Sequence, residues 1–179
     1  MKPTFVLLFL LAVAEGYHRE DIPRRRLSDI VYREYRTGDK MENGEDLTRC
    51  EEPNEPCYVA VDQAISAKTV IAVVKMTIPD DPVGEVEKMI RDHMPHPSQA
   101  GEIGVIDWVE VEEKYQRMGI ATALINETFH YIGAKKSQVV AMYLVVNPNN
   151  KKAIGLYEKT GFVKVGVDLG MYIYARYHF

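Results

Sequence analysis

The chain predicts an α/β (α+β) domain built on a mixed central sheet, and three observations carry this. An apolar run at 103–111 leads through a glycine-containing turn at 116–121 into an amphipathic run at 122–132. A β-branched run at 139–146 leads into a second helical segment at 150–160. Paired apolar runs flank these units, 58–62 with 69–78 and 162–167 with 171–177. Strand–helix–strand units make parallel neighbours and hairpins make antiparallel ones, so the sheet is mixed.

The elements follow in order. Residues 30–36 alternate apolar and polar and read as a strand. Residues 37–56 are polar and contain Gly38, Gly44, Pro53 and Pro56, so they form a loop with at most one short helical turn. The runs 58–62 and 69–78 form a hairpin. Pro79-Asp80-Asp81-Pro82 breaks the chain, 85–93 forms a short helix and 95–99 a loop. The last hairpin turns at Asp168-Leu169-Gly170. There is no internal repeat and no low-complexity tract.

The turn after the fourth strand carries the chemistry. It reads Gln116-Arg117-Met118-Gly119-Ile120-Ala121 and opens a helix. Backbone N–H groups at a helix N-terminus lack intrahelical partners and sit at the positive end of the dipole, so such a site takes phosphate. Gly119 and Ala121 present little bulk, and Arg117 adds a positive charge. The bare reading is a diphosphate cradle between strand and helix.

These residues resemble the acetyl-CoA pyrophosphate loop of the GNAT superfamily of N-acyltransferases. A second stretch strengthens the resemblance: Asn147, Asn150, Ala153, Leu156-Tyr157-Glu158-Lys159 and Gly161-Phe162 follow the fifth strand. This looks like the family's Asn-x-x-Ala-x-x-Leu-Tyr helix ending at Gly-Phe. The resemblance covers residues 103–179, close to half the chain. It implies a sheet splayed between the fourth and fifth strands, with helices on both faces. The family usually places two helices between its first and second strands. Only about twenty residues fill that gap here, too few for two helices and their turns, so this region is shortened and the acceptor cannot be inferred from the family.

By the same resemblance the activity is transfer of an acetyl group from acetyl-CoA, as co-substrate, to a primary amine of an unknown acceptor, either a small molecule or a peptide or protein. Backbone groups of Val109 and Val111 would pair with the pantetheine arm. Gln116, Arg117, Met118, Gly119, Ile120 and Ala121 would hold the diphosphate, with Asn150 and Asn147 assisting. Tyr157 would protonate the departing thiolate. Glu110 and Glu112 share one face of the fourth strand, to which Asp107 also belongs, and Glu110 lies nearest the splay as candidate general base. Two other readings remain: a domain that binds acyl-CoA without transferring it, and a secreted binding or effector module that keeps only the fold.

Composition sets outer bounds. The net charge of −4 disfavours general nucleic-acid binding and suits an amine acceptor better than a polyanion. Lys2 followed by a ten-residue apolar block, 5–14, that ends in Ala12-Val13-Ala14 reads as a secretory leader cleaved before Glu15. The alternative is a buried first strand of a cytoplasmic domain. The block is too short to span a bilayer, which takes about 20 apolar residues, and no other segment approaches that length. Residues 1–14 are thus a leader, 15–29 a charged segment and 30–179 one domain.

Cys50 and Cys57 flank an acidic, proline-rich loop. In the oxidising lumen that the leader implies they pair; otherwise they are two free thiols. Asn126-Glu127-Thr128 is a glycosylation sequon on the outer side of its helix, either a modified site or a chance match. His93 and His96, separated by Met94-Pro95, lack ligand partners at metal spacing and read as loop residues. Arg24-Arg25-Arg26 reads as a solvated tail rather than a processing site.

Overall fold

The computed structural model describes residues 27–179. The leader at 1–14, Arg24-Arg25-Arg26 and most of the charged segment lie outside the described residues. The strands are β1 (Ile30–Glu34), β2 (Lys40–Met41), β3 (Cys57–Asp62), β4 (Thr69–Asp80), β5 (Glu102–Val111), β6 (Val139–Val146), β7 (Val163–Asp168) and β8 (Met171–Arg176). The α-helices are α1 (Glu85–Asp92), α2 (Ile120–Lys135) and α3 (Lys151–Lys159).

One open sheet runs in the order β1-β3-β4-β5-β6-β8-β7, with β2 parallel to β4 off this path. Along the main path only β5 and β6 are parallel neighbours. That pair is joined by α2, as a parallel connection requires.

The side chains sort the faces. Ala60, Ala72, Val74, Met76, Ile78 and Ile106 pack with Ile120, Leu124, Ile125, Phe129 and Ile132 of α2, and α3 adds Ala153, Ile154, Leu156 and Tyr157. The opposite face has two smaller cores. Met41, Leu47 and Cys57 from the 35–57 stretch cover Val59, Val61, Val70 and Val73. Ile90 of α1 covers Ile103, Ala141, Val165 and Ile173. Helices therefore lie on both faces, but between β1 and β3 there is no α-helix, only the two-residue β2 and a 3-10 turn at Thr48–Glu51. A Cys50–Cys57 disulfide ties that turn to the start of β3.

The outline departs from the sequence reading at β4. The strand runs on through Pro79 to Asp80, where a break is expected from the two prolines. Its pairing with β5 shifts register between Thr77 and Asp80, so Pro79 sits at an irregularity, where a missing N–H removes no ladder bond.

The feature that shapes the molecule is the end of the β5–β6 pairing. Their register stops at Val105↔Tyr143, although β5 continues to Val111 and β6 to Val146. Just beyond this point β5 bulges: Lys75 opposes Trp108 and Met76 opposes Ile106, which leaves Asp107 as the extra residue. A bulge bends its strand and increases local twist, and this turns β5 away from β6. Up to that point β6 is held by the Tyr143 hydroxyl, which donates to Asp80 of β4 at 2.7 Å.

Candidate active site

The open edge of β5 has a definite hydrogen-bonding pattern. Glu112 N–H donates to the Ile71 carbonyl at 2.9 Å, so at Glu112 the backbone faces β4. Alternation then turns the N–H and C=O of Val109 and Val111 toward the gap between β5 and β6. The Val111 carbonyl already accepts from the Gln116 side chain at 3.1 Å. Val109 offers both backbone groups to an extended ligand, and Val111 its N–H.

The turn delivers α2 beside this edge. Arg117 and Gly119 both take left-handed backbone angles, φ 63° and 84°. Gly119 is the N-cap, and no side chain caps the helix. The first intrahelical bond from the Gly119 carbonyl goes to Ala123 N–H, so the N–H groups of Ile120, Ala121 and Thr122 lack an intrahelical acceptor. A Cβ built at Gly119 meets no atom within 4 Å. A side chain there would occupy open space in front of the donors without clashing with the protein. Gln116 has its side chain committed to β5, so it can contribute to the cradle only through its backbone.

The α3 residues have local duties too. Asn150 is the N-cap, and its side-chain oxygen accepts from Ala153 N–H at 3.1 Å; its amide group remains a donor. Asn147 accepts from Asn149 N–H at 2.8 Å. Tyr157 is half-buried, edge-on to Phe162 at 5.7 Å between ring centroids. Burial raises its phenol above the usual range. Among the described residues no buried side-chain polar atom is left without a partner, and no hydrogen bond reaches the Tyr157 hydroxyl, so that oxygen opens onto accessible space.

Glu110 and Glu112 share the face opposite α2, and both fasten Asn43. Glu112 accepts from Asn43 N–H at 2.8 Å. Glu110 accepts from the Asn43 side chain at 2.7 Å and from the Trp108 indole N–H at 2.9 Å, so each of its oxygens is engaged. The sequence reading passed over Asp107 as a site residue and did not consider Trp108. Yet Ile106 is buried, Asp107 and Trp108 are exposed and Val109 is half-buried, so two successive outward residues interrupt an alternating strand. The sequence does not show this interruption, because the apolar Trp108 keeps the pattern alternating through Asp107; only the pairing with β4 reveals the bulge. Thr77 donates its hydroxyl to Asp107 at 2.8 Å.

Asn126 is exposed on α2. Among the described residues no group of three His, Cys, Asp or Glu side chains is placed to hold a metal ion. No helix among them is long and apolar enough to cross a membrane.

Residues 24–162 match the model of the acetyltransferase (GNAT) family, well over half the chain. The chain belongs to the GNAT family of acetyltransferases. Solved structures share its fold at low identity. NAA60 from Arabidopsis thaliana in complex with acetyl-CoA is 22% identical with a TM-score of 0.64, over 83% of this chain and 98% of that one. The same plant protein with a bisubstrate analogue is 24% identical, with a TM-score of 0.61 and the same coverage. A GNAT family acetyltransferase from Elizabethkingia anophelis with acetyl-CoA bound is 13% identical with a TM-score of 0.54, over 84% of this chain and 99% of that one. No curated protein sequence matches the chain.

Proposed function

We propose that the protein transfers an acetyl group from acetyl-CoA to a primary amine by direct attack. One observation carries this: β5 and β6 part after Val105 and Tyr143, beside the uncapped start of α2. An extended arm fits an open strand edge, and a diphosphate fits a helix N-terminus. Acetyl-CoA has both parts. In this reading the backbone of Val109 and Val111 pairs with the pantetheine arm, and one of these N–H groups faces the thioester oxygen and stabilises its developing charge. The turn from Gln116 to Ala121, with Arg117 beside it, holds the diphosphate. The amide groups of Asn150 and Asn147 add donors. The acetyl-CoA complexes of NAA60 and of the Elizabethkingia protein support a common mode of binding.

Tyr157 serves the departing sulfur. Its raised pKa keeps the proton on the phenol through neutral pH. A thiol near ~8.5 is the stronger acid, so Tyr157 acts first by hydrogen bonding to the thiolate as it forms. Glu110, expected from the sequence as the base, is better suited to hold Trp108 and Asn43 in place, because both its oxygens already accept. The disulfide supports an oxidising compartment, in keeping with a leader at 1–14. N-terminal sequencing of protein from its native host should then begin near Glu15; an intact Met1 on soluble cytoplasmic protein would reject the secretory route.

The experiment that tests the function mixes the protein with acetyl-CoA and a broad panel of primary amines. Free thiol and N-acetylated product should appear together. A protein that binds acetyl-CoA but releases no thiol with any amine would be a binding domain instead.

A further inference from the structure

We propose that the acceptor binds in the cavity at the β5 bulge, its ammonium on Asp107 and its hydrocarbon against Trp108. The acceptor is thus a small primary amine bearing one positive charge on an apolar chain or ring. The inference rests on the acetyl-transfer reading and gives it a substrate class.

The cavity measures about 340 Å³ and opens on the face opposite α2, lined by Glu45, Arg49, Glu55, Lys75, Asp107 and Trp108. Pockets for small molecules run from about 300 to 1,000 Å³, so this one suits a small acceptor. Its charges largely cancel. Lys75 pairs with Glu45 at 2.7 Å, and Arg49 pairs with Glu55 at 2.5 Å. Asp107 makes no close ion pair: its hydrogen-bond partner is the neutral Thr77 hydroxyl, and Arg49, already paired with Glu55, acts on it only at longer range. One uncompensated negative charge matches one ammonium. A polycation would bring further charges that find only carboxylates already paired.

The apolar part of the acceptor has its own partner. Trp108 is 53% exposed, yet its ring is not loose: the indole N–H is tied to Glu110, and Glu110 to Asn43. An aromatic face held beside a carboxylate favours a cation joined to hydrocarbon. The bulge turns Asp107 and Trp108 to the same side, at the point where β5 leaves β6. The acceptor's nitrogen therefore lies next to the gap that takes the thioester, on the opposite side of the sheet from α2.

The proton balance closes around Asp107. Its carboxylate takes one proton from the ammonium, and the freed lone pair attacks the thioester carbonyl carbon. The C–S bond breaks and the sulfur leaves with the electron pair. A second N–H proton, shed as the amide forms, balances the one the sulfur takes up, and Asp107 returns its proton to water. Asp107 reaches the surface, but the surrounding cavity wall partly desolvates its carboxyl and raises it above its usual range; the Thr77 hydrogen bond and Arg49 oppose this, while Asp80 and Glu55 add to it. A raised pKa makes it a better proton acceptor for an amine.

The test follows thiol release from acetyl-CoA with 2-phenylethylamine, hexylamine and spermidine, alongside calorimetry of acetyl-CoA binding. The two monoamines should exceed spermidine in kcat/KM by about tenfold or more. Asp107→Asn should lower kcat/KM for both monoamines by about a hundredfold, as expected for a lost base. Trp108→Ala should raise KM for 2-phenylethylamine about 2- to 30-fold, with kcat near that of the parent. Acetyl-CoA affinity should stay at the parent's value in both variants. If Asp107→Asn itself loses acetyl-CoA binding, Asp107→Ser is read in its place by the same criteria. Parental kcat/KM in the Asp107 variant, or a preference for spermidine, would overturn the assignment. A parent that releases no thiol with any amine would instead overturn the transfer reading beneath it.

Discussion

The two faces of the sheet at the splay are built by different means. On the α2 side the groups offered to a ligand are mostly backbone: the open edge of β5 and the first N–H groups of α2 behind Gly119. On the opposite side they are side chains drawn from distant parts of the chain, with Glu45, Arg49 and Glu55 meeting Lys75, Asp107 and Trp108. A backbone site depends on local conformation, which a short motif can specify. A side-chain cavity depends on which strands become neighbours, and no local pattern records that.

The covering elements differ in the same way. The α2 face has one large core shared by two helices. On the opposite face, β3 and β4 have only a small core under the 35–57 stretch, closed by the Cys50–Cys57 bond. A short segment that cannot bury enough apolar surface is often held by a disulfide instead.

Substitutions can separate the two sides. The largest effect belongs to Tyr157→Phe, which keeps the ring against Phe162 and removes only the hydroxyl. Turnover should fall about 10²–10⁴-fold with acetyl-CoA affinity nearly unchanged, read by steady-state kinetics beside calorimetry. A fall in affinity alone would make Tyr157 a binding residue, and no change in either would make it part of the core.

Next comes Gly119→Glu. It puts a carboxylate into the cradle at a left-handed φ of 84°. Acetyl-CoA affinity should drop on the order of a hundredfold, the worth of one or two hydrogen bonds to a charged group. Circular dichroism would verify that the variant folds.

The paired change Cys50→Ser with Cys57→Ser acts on the other side. It should lower stability by about 2–3 kcal/mol, the entropy of closing so short a loop, and Tm by roughly 5–10 °C. Because Cys57 also borders the acceptor cavity, KM for the amine should rise while acetyl-CoA affinity holds. Equal loss of both affinities would erase the distinction between the two sides.

The smallest effect is that of Asn150→Ala. Losing the cap to Ala153 N–H should cost about 1 kcal/mol in a denaturant titration. Any drop in acetyl-CoA affinity beyond that would report the amide group as a ligand donor.

What was legible in the sequence follows from this comparison. The glycine turn, the helix it opens and the alternating strands are local, and they stand where the pattern puts them. The segment before β3 was recognisable as too short for two helices, but its pairing of Lys40–Met41 with β4 was not, since two residues carry no periodicity. The run of β4 through Pro79 was hidden because proline ordinarily ends a strand, and only the register shift beside it makes it tolerable. Glu110 was singled out by its strand face and its nearness to the expected splay. Its capture by Asn43, 67 residues earlier, depends on tertiary neighbours that spacing cannot show.

The central claim is that the open edge of β5 and the start of α2 form one acetyl-CoA site. Titrating acetyl-CoA into the full chain and into its Gly119→Glu variant by calorimetry tests it most directly. The account predicts saturable binding of one acetyl-CoA per chain, and binding weakened about a hundredfold in the folded variant. No binding by the parent, or equal binding by both, would contradict it.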